Sequence, residues 1–131
     1  GTTIMTLDGE MPVEHLTAGA RVITRNSGMA VLSEIEARTV KVSPVRIKAG
    51  SLGHTRPDRD MIVAPGARIH IRDWRAEALF GSKTASVQAE RLVDGEFLAN
   101  EDVREMTVYT LRFAQEHIIY ADGIEMVADT L

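Results

Sequence analysis

The chain has 131 residues, 44% of them hydrophobic and none of them cysteine. That suits one domain spanning 1–131 and excludes disulfides, thiolate metal sites, iron–sulfur clusters and an internal thiol nucleophile. Fifteen basic against nineteen acidic side chains give a net charge of −4, a poor footprint for nucleic-acid binding, and no apolar run approaches the roughly 18 residues of a membrane-spanning helix.

Short alternating segments end in turn chemistry along the whole chain. Residues 3–7 alternate and stop at Asp8-Gly9, and the β-branched run 20–25 ends in Asn26-Ser27-Gly28, where glycine supplies the positive φ of a tight reversal. In 29–42 the apolar set shifts from odd positions (Val31, Ile35, Ala37) to even ones (Val40, Val42), which predicts a bulge or bend near Arg38 and Thr39. Val45, Ile47 and Ala49 alternate with Arg46 and Lys48 before Gly50. Segments 60–64 and 68–72 flank Pro65-Gly66, and in the second Ile69 and Ile71 face one way while Arg68, His70 and Arg72 face the other. Helical spacing is brief: Trp74, Ala78 and Leu79 predict one or two turns ended by Gly81, and 85–92 is a second, weaker candidate. Segments 107–113, 117–121 and 124–127 read as strands, the last two joined at Asp122-Gly123. Many short strands with little helix predict an all-β domain.

The opening G-T-x-I-x-T-x-x-G-x-x-P-V-E-x-L-x-x-G-x-x-V-x-T rests on Gly1, Thr2, Ile4, Thr6, Gly9, Pro12, Val13, Glu14, Leu16, Gly19, Val22 and Thr24. It resembles the start of the Hint domain, the self-processing module of hedgehog C-terminal regions and inteins. PVRIKAGSLG (44–53) and DMIVAPGAR (60–68) resemble a bacterial hedgehog/intein-like subfamily in which the latter reads roughly D-L-x-V-S-P-x-H-R. VYTLRFAQEHIIYADGI (108–124) is similar to the closing Hint segment. The resemblance implies a curved, horseshoe-like all-β fold with pseudo-twofold halves, and Gly1 near 122–124.

It also implies a chemistry: a cysteine attacks the carbonyl before it, turning an amide into a thioester that releases the upstream segment. The substrate is thus the domain's own upstream polypeptide. A histidine must protonate the departing amide nitrogen, helped by a hydroxyl neighbour and oxyanion donors. In the subfamily that cysteine lies upstream of the glycine matching Gly1, so the chain is expected to begin just inside the motif. Ala67 stands at the catalytic histidine and Ala64 at its Ser or Thr companion, and neither carries a proton. Thr110 stands where inteins often have Asp, and the end lacks the His-Asn pair of splicing inteins. His117 falls on the family's late histidine and is the surviving candidate catalytic residue; a structural strand histidine is the alternative. His70 compensates for the loss only in a shifted register. His15 and His54 read as surface residues, and no cofactor or metal site is expected.

Asp58 and Asp60, beside Arg56 and Arg59, read as a charged loop rather than an acid–base pair. Trp74, Leu79 and Phe80 read as a small core or lid cluster. The sequence therefore points to a self-processing domain with a degenerate site. The alternatives are a non-catalytic Hint-fold structural or interaction module of a larger, exported bacterial protein, or an unrelated β-barrel binding domain. The compartment and oligomeric state stay open.

Overall fold

The computed structural model describes residues 2–52 and 56–131. Strands form where apolar and β-branched residues alternate between turn pairs. In chain order they are β1 (Thr3–Thr6), β2 (Gly9–Pro12), β3 (Arg21–Thr24), β4 (Gly28–Val31), β5 (Glu34–Val42), β6 (Val45–Ile47), β7 (Met61–Val63) and β8 (Arg68–Ile71). The helix α1 (Trp74–Phe80) follows, then β9 (Ala85–Gln88), β10 (Leu98–Asn100), β11 (Arg104–Phe113), β12 (Ile118–Ala121), β13 (Ile124–Val127) and β14 (Asp129–Thr130). The all-β expectation with minimal helix holds. Asp73 caps α1 by accepting from the Arg75 amide at 3.0 Å, and Gly81 closes it in the left-handed region at φ 69°. At the β3–β4 reversal Gly28 takes φ 69°, while the Thr24 hydroxyl donates to the Gly28 carbonyl at 2.7 Å and accepts from the Ser27 amide.

The main sheet runs β2-β1-β3-β12-β13-β8-β9, with β4 on the outer side of β3, so the first and last parts of the sequence interleave at its centre. Two smaller sheets, β10-β6-β7 and β14-β11-β5, flank it. The core has two parts. One gathers Val45, Ile47, Ile69, Ile71, Val87 and Leu98; the other gathers Ile4, Val22, Leu32, Leu111, Phe113 and Ile119. Met126 packs against both, which places β13 at their junction.

Several expectations are corrected. The break in 29–42 falls at Leu32 and Ser33, not at Arg38 and Thr39: β5 pairs with β11 without interruption from Glu34 against Arg112 to Val42 against Arg104. Most of β5 is exposed, so neither face has to keep a phase and the apolar shift needs no bulge. Segment 85–92 is half strand, because Val87 pairs across to Ile69, and half 3₁₀ turn over Ala89–Leu92. Trp74 and Leu79 are not core residues; they are 68% and 56% exposed, with the Arg75 guanidinium over the indole at 4.9 Å. Phe80 alone of the three packs on the core. Strands β2 and β10 carry too little alternation to have been foreseen. The expectation that Gly1 lies near 122–124 falls outside the described residues; Thr3 meets Asp122.

Candidate functional site

The entry of the chain is held by a turn far along it. Asp122 adopts φ 48°, a conformation that Asp tolerates better than most residues, and its carboxylate is buried. That carboxylate accepts from the Thr3 amide at 3.0 Å and the Thr3 hydroxyl at 2.9 Å, with Arg59 at 3.5 Å. The Asp122 amide in turn donates to the Thr3 carbonyl at 2.9 Å, and its own carbonyl accepts from the Asp58 amide at 3.0 Å. Three segments distant in sequence are thereby fixed at one carboxylate.

His117 lies between β11 and β12. Its ring is 8% exposed and meets Phe113 edge-to-face at 5.4 Å between centroids. Its carbonyl accepts from the Ala128 amide at 3.0 Å. Asn26 braces the same segment, its amide nitrogen donating to the Glu116 carbonyl and its carbonyl oxygen accepting from the Ile118 amide. The imidazole Nδ1 is buried and meets no protein donor or acceptor among the described residues.

The sheet register sets the other positions. Ile118 pairs with Val127 and Met126 with Ile69; continuing both pairings sets Ala128 beside His117 and Ala67 beside Ala128. All three share the face that carries Ile119, Met126 and Ile69. Ala67 and His117 thus stand two strand spacings apart, about 10 Å, on the side that an imidazole at 67 would share. The turn bearing Ala64 and Ala67 is fixed by the Ala67 amide donating to the Ala64 carbonyl at 3.0 Å, and by Ala89 and Glu90 amides donating to Ala67 and Pro65 carbonyls.

A separate polar cleft of about 410 Å³ is bounded by Arg38, Arg68, Thr110, Arg112, Glu116 and Asp129, with Arg68 on the face of β8 opposite Ala67. Arg68 donates to the Ala128 carbonyl and to Asp129, both at 3.2 Å, and Arg112 lies 3.4 Å from Glu36. The cleft's chemistry is hydroxyl and ion-pair chemistry, and His117 is not part of its lining.

The Hint domain family model matches residues 1–128. The chain belongs to the Hint domain family. Solved structures agree in fold: a bacterial intein-like domain from Clostridium thermocellum (17% identity, TM-score 0.65, 98% of this chain and 95% of that one), the gp41-1 intein (13%, 0.61, 98% and 93%) and the MchDnaB-1 intein (10%, 0.58, 98% and 96%). No relative among curated proteins matches the chain.

Within this Hint domain His70 is not near His117. It projects from the opposite face of β8, beside Ser86 at 3.1 Å, so it does not stand in for a side chain at 67. His15 is exposed, as expected, and His54 lies outside the described residues. Asp58 and Asp60 serve the loop: Asp58 pairs with Arg56, and Asp60 accepts from the Ala49 amide at 2.8 Å and lies 3.6 Å from Arg46. Among the described residues no group of three or more His, Asp or Glu is placed to hold a metal ion, and no helix is long and apolar enough to cross a membrane. The residues that sequence reasoning missed are Asp122, read only as a turn former, and the arginines of the cleft. Their signal was weak: an Asp in an Asp-Gly pair looks the same with or without a distant partner.

Proposed function

We propose that this Hint domain is a self-processing unit directed at the polypeptide preceding β1, with its chemistry reduced to a remnant. His117 is the surviving proton carrier, and Ala64 and Ala67 have lost the hydroxyl and imidazole that assist departure of the amide nitrogen. The observation that carries the reading is the buried imidazole of His117, its Nδ1 free of protein partners, facing the same side of the sheet as Ala67. A histidine kept for strand structure alone would be expected to satisfy that nitrogen. The clasp at Asp122 suits the same purpose, since it fixes the chain direction immediately after the bond to be rearranged.

The test is a chain extended upstream by a cysteine-bearing segment and carrying Ala64→Ser and Ala67→His. Thiol-induced cleavage is expected in this variant and not without the cysteine, because general-acid help is worth about 100- to 10,000-fold. His117→Ala in that background should slow cleavage by about tenfold or more. Efficient cleavage with alanine at 64 and 67 would refute the claim of degeneracy. No cleavage after restoration would favour the second reading, a non-catalytic module, to which the exposed Trp74 and Leu79 of α1 also lend a contact surface.

A further inference from the structure

The face of the main sheet opposite His117 carries a continuous row of side chains that the family site does not use. Tyr120 pairs with Glu125 and His70 with Ser86. One step along from Met126 against Ile69 sets Glu125 beside His70; one step from Ile119 against Thr24 sets Tyr120 beside Ile23; one step from Thr6 against Val22 sets Ile23 beside Met5. The order across six strands is Met5, Ile23, Tyr120, Glu125, His70, Ser86. All but Ser86 line a hollow of about 630 Å³, and Ser86 stands at its end with its hydroxyl 3.1 Å from His70 Nδ1.

The polar half of the row has a definite electrostatic arrangement. Glu125 is 12% exposed and is held by Arg25 Nε at 2.8 Å and by Arg72 through Nη2 at 2.6 Å and Nε at 3.0 Å. Two guanidiniums fix its orientation. Burial pushes the His70 imidazole below its usual range, with Glu125 opposing and Arg25 and Arg72 adding to the effect, so near neutral pH it is an unprotonated base. A hydroxyl within hydrogen-bond reach of a neutral imidazole is the first pair of an activated nucleophile; Glu125, its oxygens turned to Arg25 and Arg72, acts on that imidazole through its charge. The other half, Tyr120, Ile23 and Met5, offers an apolar floor beginning about 14 Å from Ser86, three strand spacings.

We propose that Ser86, His70 and Glu125 form an acyl-transfer site for carboxylic esters of long acyl chain, the chain passing over His70 and Glu125 to reach Tyr120 and Ile23. Ser86 Oγ attacks the ester carbonyl carbon and its proton passes to His70 Nδ1. The tetrahedral adduct collapses, the bond to the alkoxy oxygen breaks, and that oxygen leaves as the alcohol with the proton from His70. Water then attacks the acyl-serine, giving its proton to His70; collapse returns that proton to Ser86 Oγ and releases the carboxylic acid. Arg72 lines the same hollow, and its bonds to Glu125 run through Nε and Nη2. Glu125 is a positioning residue, since it acts through His70. The site lies on the other face of the sheet from His117, so its fate is independent of the self-processing reading.

The experiment treats the chain with an alkyl fluorophosphonate, maps the adduct by peptide mass, and follows hydrolysis of p-nitrophenyl acetate and palmitate. An adduct on Ser86 is expected, with palmitate preferred in kcat/KM. Ser86→Ala should remove adduct and hydrolysis, and His70→Gln should lower kcat by about 100-fold or more, with unchanged circular dichroism and Tm in both. Glu125→Gln should move the acidic limb of the pH–rate profile to lower pH, because it removes the carboxylate that favours protonated His70; a merely structural role would leave that limb in place. No adduct, an adduct on another residue, or hydrolysis that survives Ser86→Ala would overturn the proposal.

Discussion

Removing the Asp122 carboxylate tests whether the chain entry is held as the contacts indicate. Asp122→Ala deletes an acceptor that takes two bonds from Thr3, at 3.0 and 2.9 Å, and meets Arg59 at 3.5 Å. Hydrogen bonds to a charged group contribute about 1.5–3 kcal/mol each, but these two share one carboxylate oxygen and do not add fully. The Arg59 side chain is 59% exposed, so its share is within about 1 kcal/mol. Alanine at φ 48° adds about 1 kcal/mol of backbone strain. The expected loss is about 3–4 kcal/mol, a large part of the roughly 5–15 kcal/mol that keeps a domain folded. Asp122→Asn keeps an acceptor oxygen and tolerates the left-handed conformation, so it should cost about half as much. Urea titration followed by circular dichroism reads both. A loss under about 1 kcal/mol for alanine, or equal losses for the two variants, would refute the reasoning.

Three other outcomes follow from the same structure. His117→Leu removes a buried nitrogen without a protein partner beside Phe113, so urea midpoints should change by less than about 1 kcal/mol or rise; a loss above about 2 kcal/mol would mean that the imidazole is structurally paired. Because burial lowers the His70 pKa, the unfolded chain binds its proton first as pH falls. Stability from this group is therefore present above the ordinary histidine value near 6.5 and is lost on acidification toward the folded value. His70→Gln should flatten the urea-midpoint profile between about pH 7 and 5, and an unchanged slope would count against it. Trp74→Ser, at a side chain 68% exposed, should shift stability by no more than about 0.5 kcal/mol; a larger loss would show that α1 packs through its indole.

What the sequence revealed depended on whether the deciding contacts were local or one face was buried. Arg68 to Arg72 alternates against a core that takes Ile69 and Ile71, so its two faces were legible before any partner was known. The exposed β5 lacked that constraint, and its apolar drift misled. The alanines at 64 and 67 stood out against the motif because a motif names positions within a few residues. That His70 and His117 lie on opposite faces was not, because it follows from the pairings of β12 with β13 and of β13 with β8. The clasp of Thr3 by Asp122 spans 119 residues, and no local pattern encodes an acceptor's distant donor.

The cost of keeping His117 bears on what the domain is for. An imidazole nitrogen sealed against Phe113, which is fully buried, loses its hydration without gaining a protein bond, and such a group costs about 1–3 kcal/mol. An apolar residue of similar volume would avoid that cost, as alanine already does at 64 and 67, where the motif's polar side chains are gone. Ala67 and the histidine share one end of the same sheet face, so that face is not fully apolar there. Strain and unmet polar groups gather where function holds them in place, and a proton carrier retained after its helpers were lost fits residual chemistry better than a scaffold with no chemical role. On this argument the His117 end of the sheet is the place to look for turnover before the domain is treated as a spacer.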